Sequence, residues 1–162
     1  MISPTEAKEF LLPRHYSGRS PSISWAFGWF INDELQAVCT FGKPASASLC
    51  DGVCGKKFSS QVYELNRLCR RETFELPLSM FVSYCLRQLK QLNLIIVSYS
   101  DMAMNHHGYI YQACNFVYTG CTKERTDIYA GGVILVTTIK KLTRGSCDPL
   151  NTDTYIFVHQ RK

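Results

Sequence analysis

The sequence of 162 residues predicts a single α/β domain, with a mixed central sheet that carries helices on both faces. The apolar run at residues 94–99 is typical of a strand that is covered on both sides. A half-buried strand (62–69) and an amphipathic helix (77–92) precede it, and this strand–helix–strand order makes the two strands parallel. Two earlier apolar runs, 23–31 and 35–41, flank Asn32-Asp33 and predict a β-hairpin.

The remaining elements follow from local signals. Ser3 is suited to cap a helix, with Pro4 at its first position and Glu6 placed to reach back to the cap, so we expect a helix that stops at Pro13. Residues 42–61 are rich in Gly, Ser, Cys and Lys without periodicity, which predicts a long functional or mobile loop.

The long helix is predicted by residues at i, i+3 and i+4 spacing that form one buried face: Leu78, Phe81, Val82, Cys85, Leu86, Leu89 and Leu92. A short helix at 109–114 and strands starting at 117, 131 and 154 complete the domain, which we expect to span residues 1–162.

The composition indicates which partners the protein has and where in the cell it is made. The net charge of +5 favours polyanionic partners, because each neutralised phosphate releases counterions, although a solvated basic surface explains the charge equally well. No segment resembles a secretory signal or a membrane span, so we expect a protein made in the cytosol without a membrane partner. Several of the eight cysteines lie in apolar runs, where we expect reduced thiols that pack as small hydrophobic groups.

A polar block follows the buried strand. Asp101, His106 and His107 lie at its carboxyl end, which is where open α/β folds place their ligands. An Asp that caps the following turn is the alternative interpretation of Asp101, and a solvent-exposed turn residue is the simpler interpretation of His106.

The order of elements and the segment Tyr111-Gln-Ala-Cys-Asn-Phe116 resemble the GNAT superfamily of N-acetyltransferases, in which a tyrosine at this position often acts as general acid. More specifically, the chain resembles the Mom family of phage DNA-modification proteins. That resemblance is carried by His15-Tyr16, Glu64-Leu-Asn-Arg-Leu68, Ser98-Tyr-Ser-Asp101, His107-Gly-Tyr-Ile-Tyr-Gln-Ala113 and Asn115-Phe-Val-Tyr-Thr-Gly120.

The resemblance implies an activity and a substrate. The Mom reaction converts adenine in double-stranded phage DNA to an N6-carbamoylmethyl form, which protects the DNA from host restriction enzymes in the bacterial cytoplasm. The alternatives are a coenzyme-A-dependent N-acyltransferase acting on a small-molecule or protein amine, and a DNA-binding phage protein without catalysis. The segment Arg70-Arg-Glu-Thr-Phe-Glu-Leu-Pro77 lacks the glycines that hold the coenzyme A pyrophosphate in GNAT enzymes, which argues against acetyl-CoA; Arg70 and Arg71 remain candidate anion ligands.

The resemblance also suggests which residues act. We expect His15, Tyr16, Asp101 and Tyr111 to converge, and a new bond to an sp3 carbon suggests a redox metal such as iron held by these four. The alternative for His15 is a hydrogen bond across its loop. Arg67 is a candidate ligand for an anion or an ordinary surface ion pair, and Ser79 a candidate hydrogen-bond donor to substrate. Lys56, Lys57 and His107 are candidate DNA contacts, and a homodimer is a candidate assembly.

Overall fold

The computed structural model describes residues 1–101, 106–122, 126–129, 132–135 and 154–159. The α-helices are α1 (Pro4–Leu11), α2 (Ala47–Cys54), α3 (Leu78–Gln88) and α4 (Tyr109–Ala113), with 3-10 helices at Lys56–Gln61 and Lys90–Leu92. The strands are β1 (Trp25–Ile31), β2 (Glu34–Gly42), β3 (Val62–Arg70), β4 (Ile95–Asp101), β5 (Val117–Thr122), β6 (Thr126–Tyr129), β7 (Gly132–Leu135) and β8 (Thr154–His159).

Six strands form one mixed sheet in the order β1-β2-β3-β4-β8-β5. β3 and β4 are parallel, as the sequence predicts, and the other neighbours in this sheet are antiparallel. β6 and β7 pair separately as an antiparallel two-stranded sheet. The predicted hairpin is confirmed, and its turn residues Asn32 and Asp33 both have positive φ, as a two-residue turn between twisted strands requires.

Helices cover both faces of the large sheet. α3 packs on Phe27, Cys39 and their neighbours, whereas α1 packs on Ala26 and Val38. Because successive residues of a strand point to opposite faces, α1 and α3 lie on opposite sides. α2 packs on Val97 of β4. The preceding residue, Ile96, belongs to the core under α3 and therefore points to the opposite face. α2 thus lies on the same side of the sheet as α1.

Two predictions about helices are wrong. Residues 42–61 do not form a long loop: Ser46 caps α2, whose Leu49 and Cys50 are buried against the sheet, and a 3-10 helix follows. The long helix ends earlier than predicted, at Gln88, and the side chain of Leu92 is 48% exposed. The chain turns at Asn93, which adopts the left-handed conformation and so cannot continue the helix.

The sheet opens between its two parallel strands. Residues Val62 to Leu65 of β3 pair with Ile95 to Ser98 of β4, and no pairing between these strands follows. Beyond this point β3 stays with β2, while the end of β4 pairs with β8. The carboxyl ends of β3 and β4 therefore diverge and leave a wedge-shaped opening.

Within the described residues, no helix combines the length and the apolar character that crossing a lipid bilayer requires.

Candidate active site

The opening between β3 and β4 contains a cavity of about 340 Å³. Its walls come from residues 15–16, residues 64–68 of β3, residues 99–100 of β4 and residues 106–111 at the start of α4, with Leu78 of α3. This volume lies near the lower end of the range for small-ligand sites, which is roughly 300–1,000 Å³. Segments that are far apart in the sequence therefore build one concave, partly apolar site.

His15 enters the cavity from the turn after α1, where its amide donates to the carbonyl oxygen of Leu11 over 2.8 Å. Its Nδ1 accepts the backbone N–H of Ser17 at 3.2 Å and lies 2.9 Å from the Ser17 hydroxyl. Burial, together with the charges of Arg67 and His106, lowers the pKa of His15 to about 4. His15 is therefore neutral at physiological pH, and an Nδ1 that accepts the Ser17 amide leaves the ring proton on Nε2.

Tyr16 connects the turn after α1 to the end of β4 through a hydrogen bond. Its ring stacks on His15 with centroids 4.4 Å apart, and 54% of the residue is exposed at the mouth of the cavity. The phenol donates a hydrogen bond to the Asp101 carboxylate; burial first, and then the Asp101 charge, raises the pKa of Tyr16. Asp101 does not line the cavity itself but reaches it through this phenol.

Arg67 and Glu64 face the cavity from β3. Arg67 donates from Nη1 to the carbonyl oxygen of Asn66 at 2.6 Å, whereas its Nε is buried without a hydrogen-bond partner in the described part of the chain. Burial raises the pKa of Glu64 to about 7, and the Arg67 charge opposes only part of that rise. The wall contributed by β3 thus holds a cation and a carboxyl group that titrates near neutrality.

Tyr111 lies deeper, on α4. Its phenol donates to the carbonyl oxygen of Tyr99 at 3.3 Å, and its ring contacts that of Phe116 with centroids 5.5 Å apart. Burial raises the pKa of Tyr111 to about 12, and a hydrogen bond with Ser98 offsets only part of this rise. Tyr111 therefore keeps its proton at neutral pH, which is the state a general acid needs before reaction.

Each side chain predicted to hold iron is already engaged in a hydrogen bond, and only Tyr16 and Asp101 are bonded to each other. A neutral His15 that binds a metal through Nε2 must carry its proton on Nδ1, but Nδ1 accepts the Ser17 amide. Tyr16 is bonded to Asp101, and the Tyr111 proton is directed at a strand carbonyl. In the described part of the chain, no group of three or more His, Cys, Asp or Glu is placed to hold a metal ion. This arrangement does not fit iron bound by all four residues.

Most of the other predicted site residues lie outside the main cavity. Ser79 does not line the cavity, and its carbonyl oxygen accepts the Cys114 thiol. Arg70 and Arg71 line a second cavity with Arg14, and each also donates to a backbone carbonyl oxygen. His107 is exposed but lines the main cavity.

Lys56 and Lys57 are exposed on the 3-10 helix after α2 and line neither of these two cavities. Lys57 Nζ lies over the Phe58 ring at 5.2 Å from its centroid.

Tyr109 and Tyr111 are two residues apart on a helix, a spacing that predicts that only one of them faces the cavity. Both line it, since this α-helix is only five residues long and begins at the cavity wall: Tyr111 lies inside, while Tyr109 is 72% exposed at the rim. Trp25 and Trp29 pack against the core, as their spacing on one face of the hairpin predicts, whereas Tyr99 lines the cavity.

Glu64 lines the cavity, although the sequence indicates it only as part of the segment Glu64-Leu-Asn-Arg-Leu68 that resembles the Mom family. Its local signal is a carboxyl group in a half-buried strand, three residues before an arginine. Such a signal is the same whether the side chain meets water or a cavity, and the pairing of β3 with β4 shows that Glu64 lies where the sheet opens.

Comparisons with known proteins agree with this architecture. A crystal structure of a Bacillus subtilis acetyltransferase in complex with CoA superposes with a TM-score of 0.54 at 14% identity, over 97% of this chain and 84% of that one. An N-acetyltransferase from Staphylococcus aureus Mu50 gives a TM-score of 0.46 at 6% identity, over 95% and 79% of the two chains. No curated protein matches the sequence. The first likeness shows a GNAT-like fold, and the model of the Mom protein family matches residues 1–154. The chain therefore belongs to the Mom protein family.

Proposed function

We propose that this protein is a transferase that converts adenine N6 in DNA to an N6-carbamoylmethyl form and so protects phage DNA from host restriction. Membership of the Mom family over residues 1–154 supports the DNA-modifying role, and the acetyltransferase-like fold supports group transfer. The observation that carries the proposal is the cavity at the opening of the sheet, which is lined by Tyr16, Arg67 and Tyr111.

The side chains of the cavity suit chemistry on an exocyclic amine. The lone pair of adenine N6 is delocalised into the ring, so N6 becomes a useful nucleophile only as a proton leaves it. The Tyr16–Asp101 pair provides a hydrogen-bonded carboxylate beside the cavity, and Tyr111 provides a phenol that is protonated at neutral pH. Arg67 provides a positive charge for an anionic group of the donor or for a DNA phosphate.

Double-stranded DNA is the proposed substrate, and its N6 edge is hidden by base pairing. The enzyme therefore needs the target base outside the stack. The exposed Tyr16 ring at the mouth, supported from behind by His15, offers a surface on which such a base stacks. The basic excess of the chain supplies the attraction to phosphate.

The direct test is expression in bacteria, digestion of plasmid DNA to nucleosides and mass spectrometry of the deoxyadenosine pool. We expect a carbamoylmethyl adduct, and plasmid that resists restriction enzymes whose sites contain adenine. Asp101→Asn is the near-isosteric inactive control. Unaltered deoxyadenosine and complete digestion, in cells that contain the folded protein, contradict the proposal.

A coenzyme-A-dependent N-acyltransferase is the second candidate function. The acetyltransferase of similar fold was crystallised with CoA, which favours it. The turn between β3 and α3 lacks glycine, which opposes it, because a glycine-free turn does not let the CoA pyrophosphate approach the backbone closely. A rise in melting temperature with acetyl-CoA, together with acetylation of a free amine and unmodified DNA, would favour this candidate.

A further inference from the structure

Glu64 and Arg67 occupy a special position in the sheet. Glu64 pairs with Val97 just before the last paired position, Leu65 with Ser98, and Arg67 follows where β3 has already left β4. Both side chains therefore lie at the point where the opening begins, and both line its cavity.

Neither polar group has the partner that a purely structural role predicts. Glu64 forms no hydrogen bond or ion pair within the described part of the chain, although it interacts electrostatically with Arg67. Arg67 Nε is buried and lacks a hydrogen bond to any described residue. A structural carboxylate next to an arginine normally forms a direct, often bidentate pair with it. Here the two residues instead line one cavity side by side, and no direct bond joins the Glu64 carboxylate to the Arg67 guanidinium.

The nearby side chains do not supply those bonds. The Tyr111 phenol donates to a strand carbonyl, and the Tyr16 phenol donates to Asp101. His15 is neutral, so it does not compensate the Glu64 charge. Buried polar groups in native proteins nearly always have partners, and a cavity that holds an unused acceptor beside an unused donor suits a ligand with the complementary pattern.

We propose that Glu64 and Arg67 select adenine: the Glu64 carboxylate accepts a hydrogen bond from the N6 amino group, and the Arg67 guanidinium donates to the adjacent ring nitrogen, N1. The inference rests on the proposed function and names the residues that choose its base. Guanine and thymine present a carbonyl oxygen where adenine presents its amino group, so the carboxylate repels them. Cytosine has the same donor and acceptor pattern but a smaller ring, which leaves the cavity poorly filled.

The test uses DNA duplexes that are identical except for one bulged target nucleotide, so that extrusion of the base costs little. The target is adenine, guanine or purine, the last of which has hydrogen in place of the amino group. Fluorescence anisotropy gives a Kd for each duplex. We expect the wild-type protein to prefer adenine over purine by about 10-fold, the effect of one hydrogen bond to a charged group.

Two variants test whether Glu64 causes the preference for adenine over purine. Glu64→Met removes the acceptor at similar size and should lower the adenine-to-purine ratio to about 1. Glu64→Gln is isosteric and adds an N–H donor, so it should shift relative affinity from adenine toward guanine. Glu75→Met is the matched control, because Glu75 is exposed and outside both described cavities, and it should keep the wild-type ratio.

The outcomes separate this inference from the proposed function. If the wild type modifies adenine and prefers it, yet both Glu64 variants keep that preference, base selection by Glu64 is wrong and the proposed function stands. If the wild type neither modifies nor prefers adenine, both are wrong. Circular dichroism of each variant establishes that it is folded, and if Glu64→Met does not fold, Glu64→Gln alone decides through the guanine shift.

Discussion

Replacing Glu64 by glutamine is expected to make the protein more stable above neutral pH. In the folded protein, burial raises the pKa of Glu64 from its ordinary value of 4.5 to about 7. The unfolded chain thus releases this proton at a lower pH than the folded protein does. The wild-type protein therefore loses folding stability as the pH rises from 4.5 through 7. The glutamine variant has no carboxyl group at residue 64 and does not lose stability in this way.

The pKa difference sets the size of the effect. A shift of one pKa unit corresponds to about 1.4 kcal/mol, so the rise to about 7 corresponds to about 3 kcal/mol once Glu64 is fully ionised. At pH 4 the two proteins should be equally stable, because the carboxyl group is then protonated in both states. At pH 8 the glutamine variant should melt roughly 6–12 °C higher, since about 1 kcal/mol shifts Tm by roughly 2–4 °C in a chain of this size.

The assay is urea and thermal unfolding of both proteins from pH 4 to pH 8.5. His15 has a lowered pKa and loses stability in the opposite direction, as pH falls from 6.5 toward 4. It is present in both proteins, so the difference between them isolates residue 64. Glu75→Gln is the control and should follow the wild-type curve. Parallel curves for Glu64→Gln and wild type would refute the burial of Glu64 and, with it, the electrostatic account of the cavity.

Three further variants test the candidate site and the proposed contact with DNA. Tyr111→Phe should lower modification roughly 100- to 10,000-fold, as loss of a general acid does, while the free energy of unfolding falls by only about 2 kcal/mol for its two hydrogen bonds; an equal loss of modification in Tyr109→Phe would contradict a special role of Tyr111. Asp101→Asn should abolish modification in the nucleoside assay and lower the pKa of the phenol bonded to it, measured by ultraviolet titration; an unchanged phenol titration would contradict that bond. The double variant of Lys56 and Lys57 to Gln should flatten the salt dependence of DNA binding by about 0.9 per lost phosphate contact, and an equal slope would show that this 3-10 helix does not touch DNA.

Much of the fold was predictable because its signals are local. The i, i+3, i+4 spacing in α3 and the unbroken apolar run of β4 each show which residues of that element are buried, and both patterns can be seen within a single segment of sequence. α2 was missed because it is short, carries Gly52, and is held by the burial of Leu49 and Cys50 on strands that come later in the chain. Its one local signal was Ser46, which accepts the N–H of Leu49 as an N-cap does.

The candidate site was predictable only in part. The resemblance selected His15, Tyr16 and Tyr111, and the structure brings these three to one cavity. The importance of Glu64 was not visible in the sequence, since a glutamate in a strand looks the same whether its face meets water or a cavity. Its environment arises from the separation of β3 and β4, a property of pairing between distant segments.

The position of β8 affects how this protein reaches its folded state. β8 lies between β4 and β5, and its Thr154 pairs with Asp101, so the end of β4 beside the candidate site gains its neighbour from a much later part of the chain. During synthesis β4 and β5 leave the ribosome long before β8, and until then both have unpaired edges that attract other chains. Such distant pairing slows folding. Assembly of the site is thus a late folding event, and truncation before Thr154 should yield aggregates instead of an inactive monomer.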